Sequence, residues 1–138
     1  IDIEKVYSEA LVVDGNMSLP FKDNAFDYIW CSEVIEHLID PCFSLAEMRR
    51  VVKHEGTIVI TTPNSFSFYF CLLAAIGLTP QRIQRKDHIH FFDYSRLRQL
   101  LPEARFYGYL PFSYFRPRIS GGIGAVSRTF VFVEIGRK

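Results

Sequence analysis

An α/β fold with a parallel sheet is predicted by three observations. Two apolar runs, Phe26 to Cys31 and Thr57 to Thr62 (TIVITT), flank a segment whose apolar residues recur at helical spacing. Strand, helix and strand within about forty residues form a right-handed crossover unit. The first run also ends in a polar cluster, Ser32, Glu33, Glu36 and His37, at the place where open α/β sheets build their sites.

Taken in chain order, Leu11-Val12-Val13 reads as a short strand, closed by the turn chemistry of Asp14-Gly15-Asn16. In Phe26–Cys31, residues Phe26, Tyr28 and Trp30 point one way and Ile29 and Cys31 the other, with Asp27 the one polar residue. Double-sided burial suggests a central, parallel strand. Asp40 is the expected N-cap of the next helix and Pro41 its first residue. Leu45, Met48, Val51 and Val52 form its apolar stripe, Glu47 and Arg50 its solvated face, and Gly56 its stop. Pro63-Asn64 closes the TIVITT strand. Ser95 to Glu103 reads as a further helix with Leu97, Leu100 and Leu101 inward, and Phe106–Leu110 and Thr129–Ile135 read as closing strands. Between them, Pro111–Arg128 is a Pro-, Gly- and aromatic-rich loop or hairpin.

The 138 residues are one domain's worth, and 49% are apolar, which excludes a disordered chain. A net charge of +1 argues against a dedicated nucleic-acid surface. Three cysteines, Cys31, Cys42 and Cys71, are an odd number without paired spacing, which fits a reducing, cytoplasmic setting better than a disulfide scaffold. No signal peptide is visible, and the chain opens on Ile1, so its start is expected to have been cut, processed or left out. The longest apolar run, Phe66 to Leu78, has 13 residues, short of the roughly 18–20 that span a bilayer. It reads as a buried or half-buried helix, or as a lid that receives an apolar substrate.

Several groups offer chemistry. Glu33 and His37 are four apart and share a face on a helical turn; Glu36 and His37 either cap and solvate a helix start or do acid–base work. Asp14 makes an Asx turn or accepts a ligand amine or hydroxyl. Asp87-His88-Ile89-His90 puts two imidazoles at i and i+2, on one side of an extended chain. That is half a metal site, but CxxC and HExxH are both absent, so no metal is expected. A substrate-contacting or proton-handling histidine and a plain structural one both remain open. Gly121-Gly122-Ile123-Gly124 lacks the strand and helix that a phosphate loop needs. Arg82, Arg85 and Lys86 form a basic cluster, read as a solvated loop or an anion contact.

The order LPFKDNAFDYIWCSEVIEHLIDP, then LAEMRRVVKHEGTIVITTPN, resembles class I S-adenosylmethionine-dependent methyltransferases, in the branch acting on small molecules such as quinones, lipids and sugars. The resemblance runs from about Asp14 to Asn64, with a weaker echo in DHIHFFDYSRLRQLL. It implies a Rossmann-like sheet of order 3-2-1-4-5-7-6 with strand 7 antiparallel. On that template Val12-Val13 is strand 3, Phe26–Cys31 strand 4 and Thr57–Thr62 strand 5, and Phe106–Leu110 and Thr129–Ile135 are the last two strands. Strand 1, its glycine-rich loop and most of strand 2 are missing, so residues 1–138 are expected to form a single partial methyltransferase domain. The implied cofactor is S-adenosylmethionine, bound by Asp2, Asp14, Gly15, Asn16, Met17, Cys31, Ser32 and Glu33. His37, His88 and His90 are the implied candidates for a catalytic base, and the partner is a small-molecule methyl acceptor. Strand 4 would lie at an exposed edge, which predicts missing upstream residues, a homodimer through that edge, or a rearranged N-terminal segment. Two rival readings are a non-catalytic methyltransferase-like binding or scaffold module and a nicotinamide-dependent oxidoreductase on a similar sheet; the lack of a dinucleotide fingerprint disfavours the latter.

Overall fold

The computed structural model describes residues 8, 11–83, 87–109, 118–119, 127 and 129–135. Asp2, the Gly121–Gly124 run, Arg85 and Lys86 lie outside them. Among the described residues five strands form one sheet: β1 (Phe26–Ser32), β2 (Val52–Pro63), β3 (Arg105–Tyr109), β4 (Arg118–Ile119) and β5 (Thr129–Ile135), in the order β1-β2-β5-β3-β4. β1 and β2 are parallel, whereas β5 runs antiparallel to both β2 and β3. The first four of these, β1-β2-β5-β3, are the 4-5-7-6 portion of the expected order, with the antiparallel strand where the resemblance put it, and β4 adds a short strand beyond β3.

Helix α1 (Pro41–Val51) carries the crossover from β1 to β2. The Asp40 carboxylate accepts from the amides of Cys42 at 2.9 Å and Phe43 at 3.1 Å, and Pro41 supplies a preset φ at the first helical position. Leu45, Met48 and Val51 are buried as the spacing requires. The helix ends at Val51, not at Gly56. β2 starts immediately at Val52 and absorbs the residues up to Gly56 in an irregularity, with pairing stepping from Phe26↔Val52 to Tyr28↔Thr57. Glu55 takes a left-handed φ of 64°, and a Cβ on Gly56 would lie 2.7 Å from Val52 Cγ2 and 2.9 Å from the Lys53 carbonyl. Gly56 therefore serves a close backbone approach in the strand.

A second correction concerns β1. It lies at the sheet's edge, and Tyr28 and Trp30 are exposed rather than buried on a second face. Its other face joins the core: Cys31 shares one buried cluster with Ile58 and Ile60 of β2, Phe106 of β3 and Phe130 and Phe132 of β5. Leu45 and Met48 of α1 cover this face together with Leu97 of α4 (Tyr94–Leu100), a helix capped by the Asp93 carboxylate on the Arg96 amide at 2.7 Å. Phe106 and Phe132 meet edge-to-face at 5.0 Å. The strand expected at Leu11–Val13 is a single bridge residue, Val12, and Leu11 and Val12 are exposed. The apolar run 66–78 forms the eight-residue helix α2 (Phe68–Ala75), stopped by Gly77 at φ 82°; Phe70 is buried, but Phe66, Phe68, Leu72, Ile76 and Leu78 are exposed. A short helix, α3 (Pro80–Ile83), follows. Among the described residues no helix is long and apolar enough to cross a membrane.

Glu47 and Arg50 do not merely face solvent. The Arg50 guanidinium donates to the carbonyls of Phe21 (2.8 Å) and Leu19 (2.9 Å), to Asp23 (2.9 Å) and to both Glu47 oxygens (2.9 and 2.8 Å). Glu47 Oε2 accepts from the Leu19 amide at 2.8 Å. Together they clamp the loop that leads into β1.

Candidate active site at the ends of two parallel strands

Side chains gather where β1 and β2 end. Register pairs Ser32 with Thr61, and their hydroxyls meet at 2.8 Å. The chain then turns sharply at Glu33, whose φ of 54° lies in the left-handed region, and its amide donates to the Thr61 carbonyl at 3.0 Å. The Thr61 hydroxyl donates to Glu33 Oε1 at 3.1 Å. Glu33 keeps part of its surface open, yet the surrounding protein removes enough solvent to push its carboxyl up; the Thr61 hydrogen bond and the nearby His37 oppose that rise.

After Glu33 comes a single 3-10 turn, Ile35–His37, in place of a full helix. It buries Glu36 to 1% exposure. Glu36 Oε2 accepts from the Thr62 hydroxyl at 3.0 Å, while Oε1 has no partner. Burial raises this carboxyl first; the hydrogen bonds to its own amide and to Thr62 lower it, Glu33 raises it and His37 lowers it. His37 is half-buried, with Nδ1 3.0 Å from the Asp87 carbonyl and 3.5 Å from its carboxylate. The amides of Ile89 and His90 both donate to the Glu36 carbonyl at 2.9 Å, so the DHIH segment is docked onto the turn. The rings of His37 and His88 meet edge-on at 4.6 Å. His90 stacks on Phe92 at 5.7 Å.

The predicted residues thus fall into two groups. Ser32, Glu33, His37, His88 and His90 converge on the β1 end. Asp14, Gly15, Asn16 and Met17 form a self-capped turn: Asp14 Oδ1 accepts from the Asn16 amide and side-chain amide, both at 2.9 Å, which holds its carboxyl below the usual range. That turn docks beside the first group, with the Ser44 hydroxyl donating to the Gly15 carbonyl at 2.7 Å and the Ile39 amide to Asn16 Oδ1 at 2.7 Å. Met17 is exposed. The Cys31 side chain faces the core, and burial followed by the Glu36 charge pushes its thiol up to about 12, so it is no nucleophile. Sequence reasoning missed Thr61 and Thr62, whose hydroxyls position both glutamates; adjacent hydroxyls at the last positions of a central strand were the available signal.

A twisted α/β sheet with a polar site outside the carboxyl ends of its parallel strands defines the Rossmann-like class of ligand-binding domains. Residues 3–60 match the model of a methyltransferase domain family. The chain is 39% identical over 66 residues to a demethylmenaquinone methyltransferase of Bacillus licheniformis, covering 45% of this chain and 28% of that protein. It is 31% identical over 91 residues to the 2-methyl-6-phytyl-1,4-hydroquinone methyltransferase of a Synechocystis strain, covering 66% and 24%. The structure superimposes on a SAM-dependent methyltransferase from Thermotoga maritima with a TM-score of 0.67 and 21% identity, covering 86% of this chain and 60% of that one. Residues 3–60 thus resemble a methyltransferase domain, and the fold is that of S-adenosylmethionine-dependent methyltransferases. It spans less than a third of the length of these two curated relatives.

Proposed function

We propose that residues 1–138 form a single partial domain of an S-adenosylmethionine-dependent methyltransferase acting on a small molecule. The observation that carries this reading is the Ser32–Thr61–Glu33 cluster at the ends of β1 and β2, with Ser32 and Glu33 inside the segment that matches the family and Thr61 directly after it. Its donor chemistry fits the cofactor, whose ribose hydroxyls and ammonium group seek acceptors: Glu33 and Asp14 supply carboxylates, Ser32 and Thr61 hydroxyls. When bound, the cofactor supplies a methyl group already activated by the sulfonium charge, so the protein's part is proximity and orientation. His37 is the favoured proton acceptor, because its Nδ1 faces a carbonyl, which can only accept; the proton belongs on Nδ1 and leaves Nε2 basic. Quinol acceptors are the first to assay, since two similar proteins are named for them.

Calorimetric titration of S-adenosylmethionine into the chain and into any longer form, followed by methyl-transfer assays on quinols, tests the proposal. Saturable binding that Glu33→Gln weakens about tenfold is expected. Binding by neither form would leave a non-catalytic module.

A further inference from the structure

Glu36, His37 and His88 each offer one ligating atom, and these three atoms lie within 4.8 Å of one another. We propose that they form a binding site for a divalent transition-metal ion. The DHIH motif alone lacked partners; its partners are the adjacent Glu-His pair on the turn, docked against it through the Glu36 carbonyl.

Three observations carry the assignment. Glu36 is 1% exposed, and one of its carboxylate oxygens has no hydrogen-bond partner. Such a group is costly to bury unless a proton or a cation meets it. His37 has its Nδ1 fixed by the Asp87 carbonyl at 3.0 Å, with the Asp87 carboxylate 3.5 Å away. An outer acceptor of this kind sets the tautomer and ring orientation of metal-binding imidazoles and raises the basicity of the other nitrogen. His88 is then held edge-on to His37 at 4.6 Å, so two imidazoles and a carboxylate share one small volume.

One carboxylate oxygen with two imidazole nitrogens suits Zn²⁺, Fe²⁺, Co²⁺ or Mn²⁺, whereas Mg²⁺ and Ca²⁺ prefer all-oxygen shells. Metal–ligand bonds of about 2.0–2.2 Å put donors roughly 3–3.5 Å apart. The ligands therefore close by an ångström or so, within reach of rotation about the half-buried His37 and His88 side chains. Three protein ligands leave positions open for water or a ligand oxygen. With the ion bound, His37 is a ligand and no longer the free proton acceptor, and a coordinated hydroxyl loses its proton more readily instead; that consequence rests on the methyl-transfer reading, but binding of the ion does not.

The test is titration of the full chain with Co²⁺, followed by visible absorption, and with Zn²⁺ by calorimetry, both without S-adenosylmethionine. One equivalent is expected to bind with ligand-field bands in the visible. Glu36→Gln and His88→Gln should each weaken binding at least tenfold, while His54→Gln, at an exposed site, should not. Zn²⁺ should raise the thermal midpoint of the wild type and not of His88→Gln. Because His88 is only half-buried, that variant keeps the test valid even where Glu36→Gln fails to fold. Absence of a saturable Co²⁺ signal in the wild type, or equal binding by His88→Gln, overturns the site. Either result is read apart from cofactor binding, so it leaves the methyl-transfer proposal standing.

Discussion

The sheet's two faces are made of similar residues and live in different surroundings. On one, Cys31, Ile58, Ile60, Phe106, Phe130 and Phe132 are all below 9% exposure and share one core with α1 and α4. On the other, Tyr28 and Trp30 stand 77% and 71% exposed, and Val59, Val131 and Val133 are half-buried. Alternation along β1 sorts its residues between the two, Ile29 and Cys31 inward, Tyr28 and Trp30 outward. Hydrophobicity alone therefore does not mark the core here. What marks it is which face a covering helix reaches.

The comparison breaks most sharply under truncation. Phe130→Ala removes a ring that is 0% exposed between Tyr94 and Phe132. It should cost about 3–5 kcal/mol, much of the stability of a domain this size. Chemical denaturation checks this; a loss below about 1 kcal/mol would mean that the face is not the core.

The arithmetic of the sequence made the buried face legible and left the open face misread. Asp40-Pro41, the stripe through Met48 and the TIVITT run are local signals, and each produced the element it announced. Phe26–Cys31 is apolar at every position but one, and such a run cannot say whether a second layer covers it; neighbours remote in sequence decide that. The same limit hid the clamp. Nothing local tells that Arg50 reaches back to Leu19 and Phe21, some thirty positions away. The site shows both sides of this. Glu33, Glu36 and His37 stand out by sitting after a strand, but their proximity to His88 depends on two backbone hydrogen bonds from Ile89 and His90 that no motif encodes.

The clamp is the next way to sharpen the contrast, since it secures the entry to β1 through charged groups instead of apolar burial. Arg50→Ala should lower the thermal midpoint less than Phe130→Ala and should open the 19–23 loop to proteolysis. Glu47 gives the acid dependence. Arg50 holds its carboxyl below the ordinary value of 4.5, so the folded state binds fewer protons than the unfolded one at mildly acid pH. The stability this supplies is complete above 4.5 and is lost as pH falls through the depressed folded value. Glu47→Gln should therefore flatten the fall in melting temperature between about pH 5 and pH 3 that this proton linkage produces in the wild type; an identical slope would show that the pair contributes nothing.

The thiols read out the faces without changing the fold. Cys31 is buried with its thiol pushed up to about 12, whereas Cys42 and Cys71 are exposed. Iodoacetamide at about pH 8 should modify Cys42 and Cys71 in the native chain and reach Cys31 only in denaturant, as peptide mass analysis would record. Rapid native labelling of Cys31 would place β1's inner face in solvent.

The smallest expected effect falls on the open face, and it is the most informative about what covers it. Trp30 is the chain's single tryptophan, so its fluorescence reports this surface alone. At 71% exposure it should emit as a solvated indole and be readily quenched by acrylamide, and Trp30→Ser should shift stability by no more than about 0.5 kcal/mol. A dilution series separates two cases. Emission that stays red-shifted at every concentration means that the face is open in the isolated chain. Emission that moves to the blue as concentration rises, with a matching gain in mass by light scattering, means that copies pair through β1, the strand whose edge and outer side chains are both available. In that second case Trp30→Ser acquires a large effect after all, on association instead of folding, and the two faces differ only in whether their cover comes from the same chain.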